Sequence, residues 1–294
     1  MEGDVSEASE PSPGTLYVVS TPIGHMGDFS SRAISILRGV SAVLAEDTRH
    51  SRHLLERYEI ATPMLAHHEH NEARATPGIV DRLRAGDSFA LISDAGTPLL
   101  SDPGARLVRA AIDADLRVVP VPGASALLSA LVASGIDAER FTFYGFLPRT
   151  GADRREVLDA IVGSRLTSVI YESPARLVDT VHDLVERGAG DRQAAVAREM
   201  TKHFEEIKRG TLSALGAYYG EAPPKGEIVV VIAGAVPTGP SEALVRERVM
   251  ALRASGMSAR DAAGLVAAEL GVSRRVAYRF AQGAEQSGGG RADA

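Results

Sequence analysis

Short apolar runs alternate with segments of helical periodicity through the first half of the chain. In the helical segments apolar positions recur three and four residues apart, which predicts helices near 30–37, 48–57, 79–85, 104–114 and 124–133. The apolar runs are shorter and predict strands at Leu16–Val19, Val43–Ala45, Phe89–Ile92 and Val118–Val121. Strands and helices that alternate in this way are typical of an α/β domain with a mostly parallel sheet.

The pattern changes near residues 135–140, after which an aromatic run begins at Phe141. Further strands at 141–146, 168–171, 194–197, 205–208 and 227–233, with helices near 153–161 and 174–186, predict a second α/β domain. Residues 236–240 are rich in proline and glycine and predict a linker, and three short helical segments follow it. The predicted organisation is a disordered leader at 1–14, α/β domains at 15–135 and 136–235, a helical unit at 241–284 and a disordered tail at 285–294.

Composition limits the classes of protein to which the chain can belong. Of its 294 residues, 45% are hydrophobic and 24% are charged, as in soluble globular proteins. No apolar stretch approaches the roughly 20 residues that cross a bilayer, and the acidic leader lacks the features of a signal peptide. The chain has no cysteine, which excludes disulfides, thiolate nucleophiles and cysteine metal sites. We therefore expect a cytoplasmic protein without a membrane partner.

Charge is distributed unevenly along the chain. The formal net charge of −6 argues against a protein that binds nucleic acid over its whole surface. Residues 241–283 nevertheless contain seven arginines and four acidic residues, in the order helix, glycine-containing turn, serine-capped helix. This order is typical of a helix-turn-helix, although many small helical hairpins share it. We expect the unit to contact nucleic acid through Arg260, Arg274, Arg275 and Arg279.

The most informative segment is Ser93–Gly104, which we call the aspartate loop, because it directly follows the predicted strand Phe89–Ile92. Its glycines and prolines favour one fixed backbone shape, and it carries Asp94 and Asp102. Ligands of open α/β sheets bind beyond the carboxyl ends of the strands, so we expect a ligand at this loop. The alternative is a tight connection in which Asp102 caps the next helix, which would explain neither Asp94 nor the length of the loop.

Other predicted strands also end in small or charged residues. Segments 20–24 and 122–126 contain glycine, proline and small side chains that leave room for a ligand, although close helix packing would favour the same residues. Two carboxylates, a hydroxyl and a guanidinium occupy 46–49, where an ordinary helix cap is an equal alternative. In the second half, charged groups at 171–174, 197–202 and 224–227 lie beside strand ends and are expected to form the opposite wall of one cleft.

Two other kinds of site are disfavoured. The run His67–Asn71 holds three histidines and a glutamate, but their spacing is wrong for a helical zinc motif, so we expect a polar loop and no metal site. The turn after the first strand has two glycines without the fingerprint of a dinucleotide site.

Taken in order, these motifs resemble one family. Across residues 15–234 the chain is similar to the tetrapyrrole-methylase-like S-adenosylmethionine (SAM) methyltransferases, in the branch of ribosomal RNA small subunit methyltransferase I. The motifs that carry the resemblance are Ser20–Gly24, Ala45–Arg49, His68–Glu72, Ser93–Gly104, Pro122–Gly123, Gly145–Pro148, Tyr171–Ser173, Ala197–Glu199 and Lys225–Glu227. His25-Met26 departs from the Asn-Leu more common in the branch, which bears on substrate positioning. The resemblance implies two α/β domains with SAM between them, a homodimer, and methylation of a cytidine ribose 2'-hydroxyl in 16S rRNA or the small ribosomal subunit.

The resemblance also implies site residues by position. The implied cofactor-binding residues are Ile23, Asp94, Gly96, Thr97, Leu100, Ser125, Ala126, Tyr171, Ala197 and Lys225. A ribose hydroxyl is a poor nucleophile, so a side chain should accept its proton, and the candidates are Asp47, Glu199 and Lys202 without a ranking. Two alternatives stay open: a methyltransferase of the same fold that acts on a tetrapyrrole or another small molecule, and a helix-turn-helix regulator that binds nucleic acid.

Overall fold

The computed structural model describes residues 10–236, 240 and 242–283. The chain divides into two compact units, residues 1–235 and 236–294. Most of the predicted leader, part of the predicted linker and the whole predicted tail at 285–294 lie outside the described residues. None of the helices in the described part of the chain is long and apolar enough to cross a bilayer.

The first half of the larger unit is built on a five-stranded sheet with the order β3-β2-β4-β1-β5. All four neighbouring pairs are parallel, as predicted, so the carboxyl ends of the strands share one edge. The edge strand β3 was not predicted, because it has only three residues and two of them are exposed. The strands are β1 (Thr15–Val19), β2 (Ala42–Ala45), β3 (Met64–Ala66), β4 (Phe89–Ile92) and β5 (Arg117–Val121).

Five helices accompany this sheet: α1 (Ser31–Gly39), α2 (Thr48–Arg57), α3 (Glu69–Arg84), α4 (Ala105–Asp113) and α5 (Ala126–Ser134). The start of α3 corrects two predictions, the polar loop at 67–71 and the helix near 79–85. His68 precedes the helix, and its backbone N–H donates to Asn71 Oδ1 at 2.8 Å. The first two turns of α3 are mostly polar and Pro77 lies inside the helix, so apolar periodicity detected only its last turns.

The second half contains a mixed five-stranded sheet with the order β6-β7-β10-β8-β9. Strands β6 and β7 are parallel, and the other neighbours are antiparallel. The strands are β6 (Phe141–Phe146), β7 (Thr167–Glu172), β8 (Gln193–Arg198), β9 (Glu206–Thr211) and β10 (Ile228–Ile232). Its helices are α6 (Gly151–Gly163), α7 (Leu177–Leu184) and α8 (Leu212–Glu221). Helix α8 was not predicted, although Thr211 caps it and Leu212, Leu215 and Tyr219 are buried.

Helix α5 connects the two halves. It follows β5 of the first sheet, but its Leu127, Ala130 and Leu131 belong to the same buried cluster as Val169 and Val229 of the second sheet. Ile23, from the turn after β1, joins this cluster. The core of the larger unit therefore passes through the region between the two sheets.

The smaller unit has three helices, α9 (Glu242–Ala254), α10 (Ala259–Leu270) and α11 (Arg274–Gly283). Ser258 caps α10 by accepting a hydrogen bond from the Asp261 backbone N–H at 3.1 Å. Gly271 ends α10 with φ +65°, a left-handed conformation that glycine adopts readily. Valines and alanines from the three helices form the core of the unit, including Val249 and Val266.

Candidate active site

The loops that follow β1, β4 and β5 are hydrogen-bonded to one another at the carboxyl edge of the first sheet. Thr21 and Gly96 exchange two backbone hydrogen bonds of 2.9 and 3.1 Å. The hydroxyls of Ser20 and Thr97 lie 3.1 Å apart, and Thr97 Oγ1 donates to the Ala124 carbonyl at 3.1 Å. The three loops therefore form one fixed surface at the sheet edge.

The aspartate loop takes backbone conformations that restrict its sequence. Gly96 has φ +83°, and a Cβ there would lie 3.2 Å from Ile23 Cγ2. Gly104 has φ +119° and begins α4 without a side-chain cap. Asp102 does not cap this helix, so the alternative role considered for it does not occur. Both loop aspartates instead face a cavity.

The cavity lies between the two halves of the larger unit and has a volume of about 420 Å³, within the size range of small-molecule sites. Apolar side chains from both halves line it, among them Ile23, Leu100, Phe146, Tyr171 and Val229. The ring of Tyr171 packs edge-on against Phe143 and Phe146 at centroid distances of 4.8 and 5.6 Å. The cavity thus has an apolar wall that extends from the turn after β1 to the second sheet.

Five carboxylates line the same cavity, and none of the described residues that line it is lysine or arginine. Two of the five are neutralised from outside: Glu172 lies 3.3 Å from Arg176 Nε, and Glu227 lies 3.0 Å from Lys202 Nζ. The remaining three, Glu46, Asp94 and Asp102, form no ion pair with lysine or arginine within the described residues. The cavity is therefore suited to a cationic ligand.

Burial and, after it, the neighbouring negative charges raise the pKa of two cavity carboxyls. Burial, followed by the nearby charges of Glu46 and Asp94, raises the pKa of Asp102 to about 6. Burial also raises the pKa of Glu46, with Asp94 as the next contribution. Such displaced pKa values in a cleft are typical of functional carboxyls.

Seven of the ten expected cofactor-binding residues line the cavity: Ile23, Asp94, Gly96, Thr97, Leu100, Ala126 and Tyr171. The other three do not. Ser125 caps α5 by accepting from the Leu128 N–H at 3.4 Å. Ala197 is buried in β8 beside Val229, and Lys225 is exposed in the loop before β10.

The three candidate proton acceptors lie outside this cavity. Asp47 caps α2 and binds Arg49, and the hydrogen bonds from Arg49 lower its pKa. Glu199 accepts from the Glu227 N–H and from Lys202 Nζ, both at 3.0 Å, and these bonds lower its pKa in that order. Burial opposes the charge on Lys202, but its bonds to Glu199 and Glu227 outweigh burial and raise its pKa. Lys202 also lines a smaller groove of about 210 Å³ that opens beside the cavity.

Comparison with known proteins identifies the family. A family model described as Tetrapyrrole (Corrin/Porphyrin) Methylases matches residues 15–216. A relative from Synechocystis sp. named "Ribosomal RNA small subunit methyltransferase I" is 41% identical over 94% of this chain and 100% of its own length. One of the same name from Mesorhizobium japonicum is 45% identical over 95% of each chain. The chain belongs to the ribosomal RNA small subunit methyltransferase I branch of the tetrapyrrole methylases.

Two solved structures share the fold. Cobalt precorrin-4 methyltransferase superposes with a TM-score of 0.56 at 16% identity, covering 79% of this chain and 98% of that one. Diphthine synthase superposes with a TM-score of 0.58 at 13% identity, covering 74% and 89%. The predicted α/β fold of this family, with two sheets followed by C-terminal helices, is confirmed.

The methyl donor of this family is SAM, and the cavity fits it on two observations. SAM carries a sulfonium and an ammonium against one carboxylate, and three unpaired carboxylates face the cavity. The backbone at Gly96 forms a surface that a side chain would partly fill. No group of three or more histidine, aspartate or glutamate residues in the described ranges is arranged to hold a metal ion.

Several cavity residues were not among the predicted site residues of this tetrapyrrole methylase. Glu46 and Asp102 belong to motifs that the sequence singled out, but a helix cap was an alternative explanation of each motif. Phe146, Met200 and Val229 reach the cavity only through the packing of the second sheet on the first half. The sequence shows which residues are apolar or acidic. It does not show which side of each strand faces the cleft.

The arginines predicted to bind RNA are exposed in the helical unit. Arg260, Arg274 and Arg275 form no hydrogen bond or ion pair within residues 242–283. Arg279 pairs with Glu242 and stacks on Phe280 at 4.9 Å, so it is partly engaged within the unit.

Proposed function

We propose that this protein transfers the methyl group of SAM to the ribose 2'-hydroxyl of a cytidine in the 16S rRNA of the small ribosomal subunit. The similarity to relatives named for that subunit carries the proposal, because it continues over 94% of the chain and so includes the helical unit. The tetrapyrrole methylase model ends at residue 216, before that unit. A tetrapyrrole methylase without an RNA substrate would not need the exposed arginines found there.

SAM, when bound, supplies an electrophilic methyl group. The protein must then hold the ribose oxygen about 3 Å from that methyl and in line with the departing sulfur, because orientation supplies much of the rate. The fixed loops after β1, β4 and β5 provide a rigid wall for this purpose. The carboxylates of Asp94 and Glu46 complement the positive charge of the cofactor.

The proton of the ribose hydroxyl needs an acceptor. Asp47, Glu199 and Lys202 remain candidates, but the first two are weakened as bases by a lowered pKa and Lys202 is held protonated. Asp102 faces the cavity itself, and its pKa of about 6 leaves it ionised yet more basic than an ordinary carboxylate at neutral pH. Asp102 is therefore the acceptor that the geometry favours.

The remaining expectations belong to the same proposal. A homodimer in the cytoplasm, where small ribosomal subunits assemble, is consistent with an enzyme of this branch. The exposed arginines of the helical unit hold rRNA phosphates, which position the substrate without reading its sequence.

The test is to incubate the full chain with radiolabelled SAM and with small ribosomal subunits that lack the modification, then to map the labelled nucleotide. We expect label on one cytidine ribose. Parallel reactions contain protein-free 16S rRNA and the tetrapyrrole uroporphyrinogen III. Label only in the tetrapyrrole would favour the small-molecule alternative, and tight binding to one duplex sequence without any methyl transfer would favour the regulator.

A further inference from the structure

The exposed face of α2 is basic, and the helix begins two residues after Glu46, which lines the cavity. The helix buries Ser51, Leu54 and Leu55 against the first sheet. Its opposite side presents three arginines and two histidines with a single carboxylate, that of Glu56. These cationic and imidazole side chains are Arg49, His50, Arg52, His53 and Arg57.

Most of these groups are not used within the protein. Arg49 pairs with Asp47 at 3.2 Å, which closes the first turn of the helix. The side chains of Arg52, Arg57 and the two histidines form no hydrogen bond or ion pair within the described part of the chain. On a chain with a net charge of −6, unpaired cations on this helix create a local attraction for anions.

A groove of about 210 Å³ lies between this helix and the cavity lining. His50, His53 and Lys202 line it. Ile23, Asp94, Ala95 and Glu227 line both the groove and the cavity, so the two spaces are adjacent. A molecule bound in the cavity therefore has the groove as its neighbour.

The groove also has an apolar side. Met26 is 42% exposed and lines it together with Leu54. The Met26 carbonyl accepts a hydrogen bond from the Tyr58 hydroxyl, which ties this turn to the end of α2. Met26 belongs to the His25-Met26 pair at which the sequence departs from the branch, so the departure lies at the groove and not at the aspartate loop.

We propose that the basic face of α2 and this groove bind the single-stranded RNA that adjoins the methylated nucleotide. This inference rests on the proposed function. Unpaired cations suit phosphates, an apolar patch suits an unstacked base, and the position of the groove next to the cavity suits a neighbouring nucleotide. Single-stranded RNA fits better than a duplex, because a ribose that enters the cavity must leave the helical stack.

The experiment measures binding of a fluorescein-labelled oligocytidine RNA of about 12 nucleotides to the full chain over a series of salt concentrations. Arg52→Ala should weaken binding several-fold and reduce the slope of log affinity against log salt by roughly 0.7, because one phosphate contact is lost. His50→Ala combined with His53→Ala should also weaken binding. Arg52→Lys should retain most of the affinity.

Arg117→Ala is the matched control, because Arg117 is exposed at the amino end of β5, away from the edge that carries the loops. It should bind RNA as the unmodified protein does, and all variants should bind SAM with unchanged affinity in calorimetry. Unchanged RNA affinity and salt slope in the α2 variants, or an equal loss in Arg117→Ala, would overturn the inference. Tighter binding to a duplex of the same length would also overturn it.

The two proposals fail in different ways. If small subunits are methylated normally by the α2 variants, the surface assignment is wrong and the proposed function stands. If the unmodified protein binds oligocytidine through α2 but labels no nucleotide in small subunits, the proposed function is wrong.

Discussion

Gly96 is the glycine of the aspartate loop that lines the cavity. Gly96→Val should weaken SAM binding, because its left-handed φ of +83° disfavours a branched side chain and the new atoms would meet Ile23. Titration calorimetry measures the effect. The matched control is Gly86→Val, since Gly86 has φ +102° with open space around it and tests backbone strain alone. An equal loss of SAM affinity in both folded variants would contradict the close approach.

Asp102 provides the second test at this scale. Asp102→Asn should lower turnover on small subunits by roughly 10²- to 10⁴-fold at saturating SAM, because the amide cannot accept the ribose proton. In the unmodified protein, turnover should fall as the pH drops below about 6, where Asp102 becomes protonated. The variant should lose that dependence. Asp47→Asn, Glu199→Gln and Lys202→Met are assayed beside it, and the pH dependence should persist in each unless one of them is the true acceptor.

The carboxyl of Asp102 that is proposed to help turnover when it is ionised also lowers the stability of the fold when it is ionised. Because its pKa is raised from 3.8 to about 6 in the folded protein, the folded state binds this proton more tightly than the unfolded state. Asp102 therefore destabilises the fold increasingly as the pH rises through that interval. Asp102→Asn should raise the melting temperature at pH 8 and have little effect at pH 4. A lower melting temperature at pH 8 would show that the carboxylate makes a stabilising contact.

Single residues also show what the sequence could and could not predict about the site. The aspartate loop could be singled out because glycine, proline and aspartate after a buried strand have few other uses, and the structure places this loop in the cavity lining. Ser125 and Ala126 are neighbours in one motif, yet only Ala126 lines the cavity while Ser125 caps α5. Which of two adjacent residues faces a ligand depends on the local turn, and that is not encoded in residue type.

At the scale of elements, the apolar strands were predictable and the polar or short elements were not. Strand β4 is continuously apolar and fully buried, which makes its pattern unambiguous. The first turns of α3 are held by capping and hydrogen bonds more than by an apolar stripe, so periodicity did not reveal them. Helix α8 carries two glycines and follows β9 directly, and its Thr211 cap was the available signal.

The role of the three-helix unit can be tested by deleting it. Removal of residues 241–294 should preserve SAM binding, because every residue that lines the cavity lies before residue 235. It should weaken association with small subunits and flatten the salt dependence, since each lost phosphate contact lowers the log-log slope by roughly 0.7 to 0.9. Arg274→Ala with Arg275→Ala should reproduce part of this change.

Filter binding to small subunits across a salt series measures the effect, with calorimetry for SAM as the control. A truncated, folded protein that binds and methylates subunits with the same salt slope as the full chain would show that the three helices have only a structural role.

At the scale of the whole molecule, alternation of strands and helices predicted the architecture, whereas the pairing within the second sheet was not predictable. Helices separate most of its strands, but β8 and β9 follow one another directly. Strand β10 lies between β7 and β8 and is antiparallel to both. The central position of β10 follows from its five fully buried residues, Ile228–Ile232, which need cover on both faces. Whether a strand is buried on both faces depends on the assembled sheet, so the sequence alone did not place β10 at its centre.

The position of helix α5 affects how the chain folds during translation. Its apolar residues Leu127, Ala130 and Leu131 find their partners on strands β7, β8 and β10, the last of which ends at Ile232. During synthesis the amino-terminal half therefore emerges with this helix uncovered, and it cannot complete its core until the chain is translated almost a hundred residues further. The cofactor pocket, which needs both halves, is accordingly a late product of translation. An interrupted or truncated nascent chain would expose the apolar surface of α5 to aggregation and would lack a complete cofactor pocket.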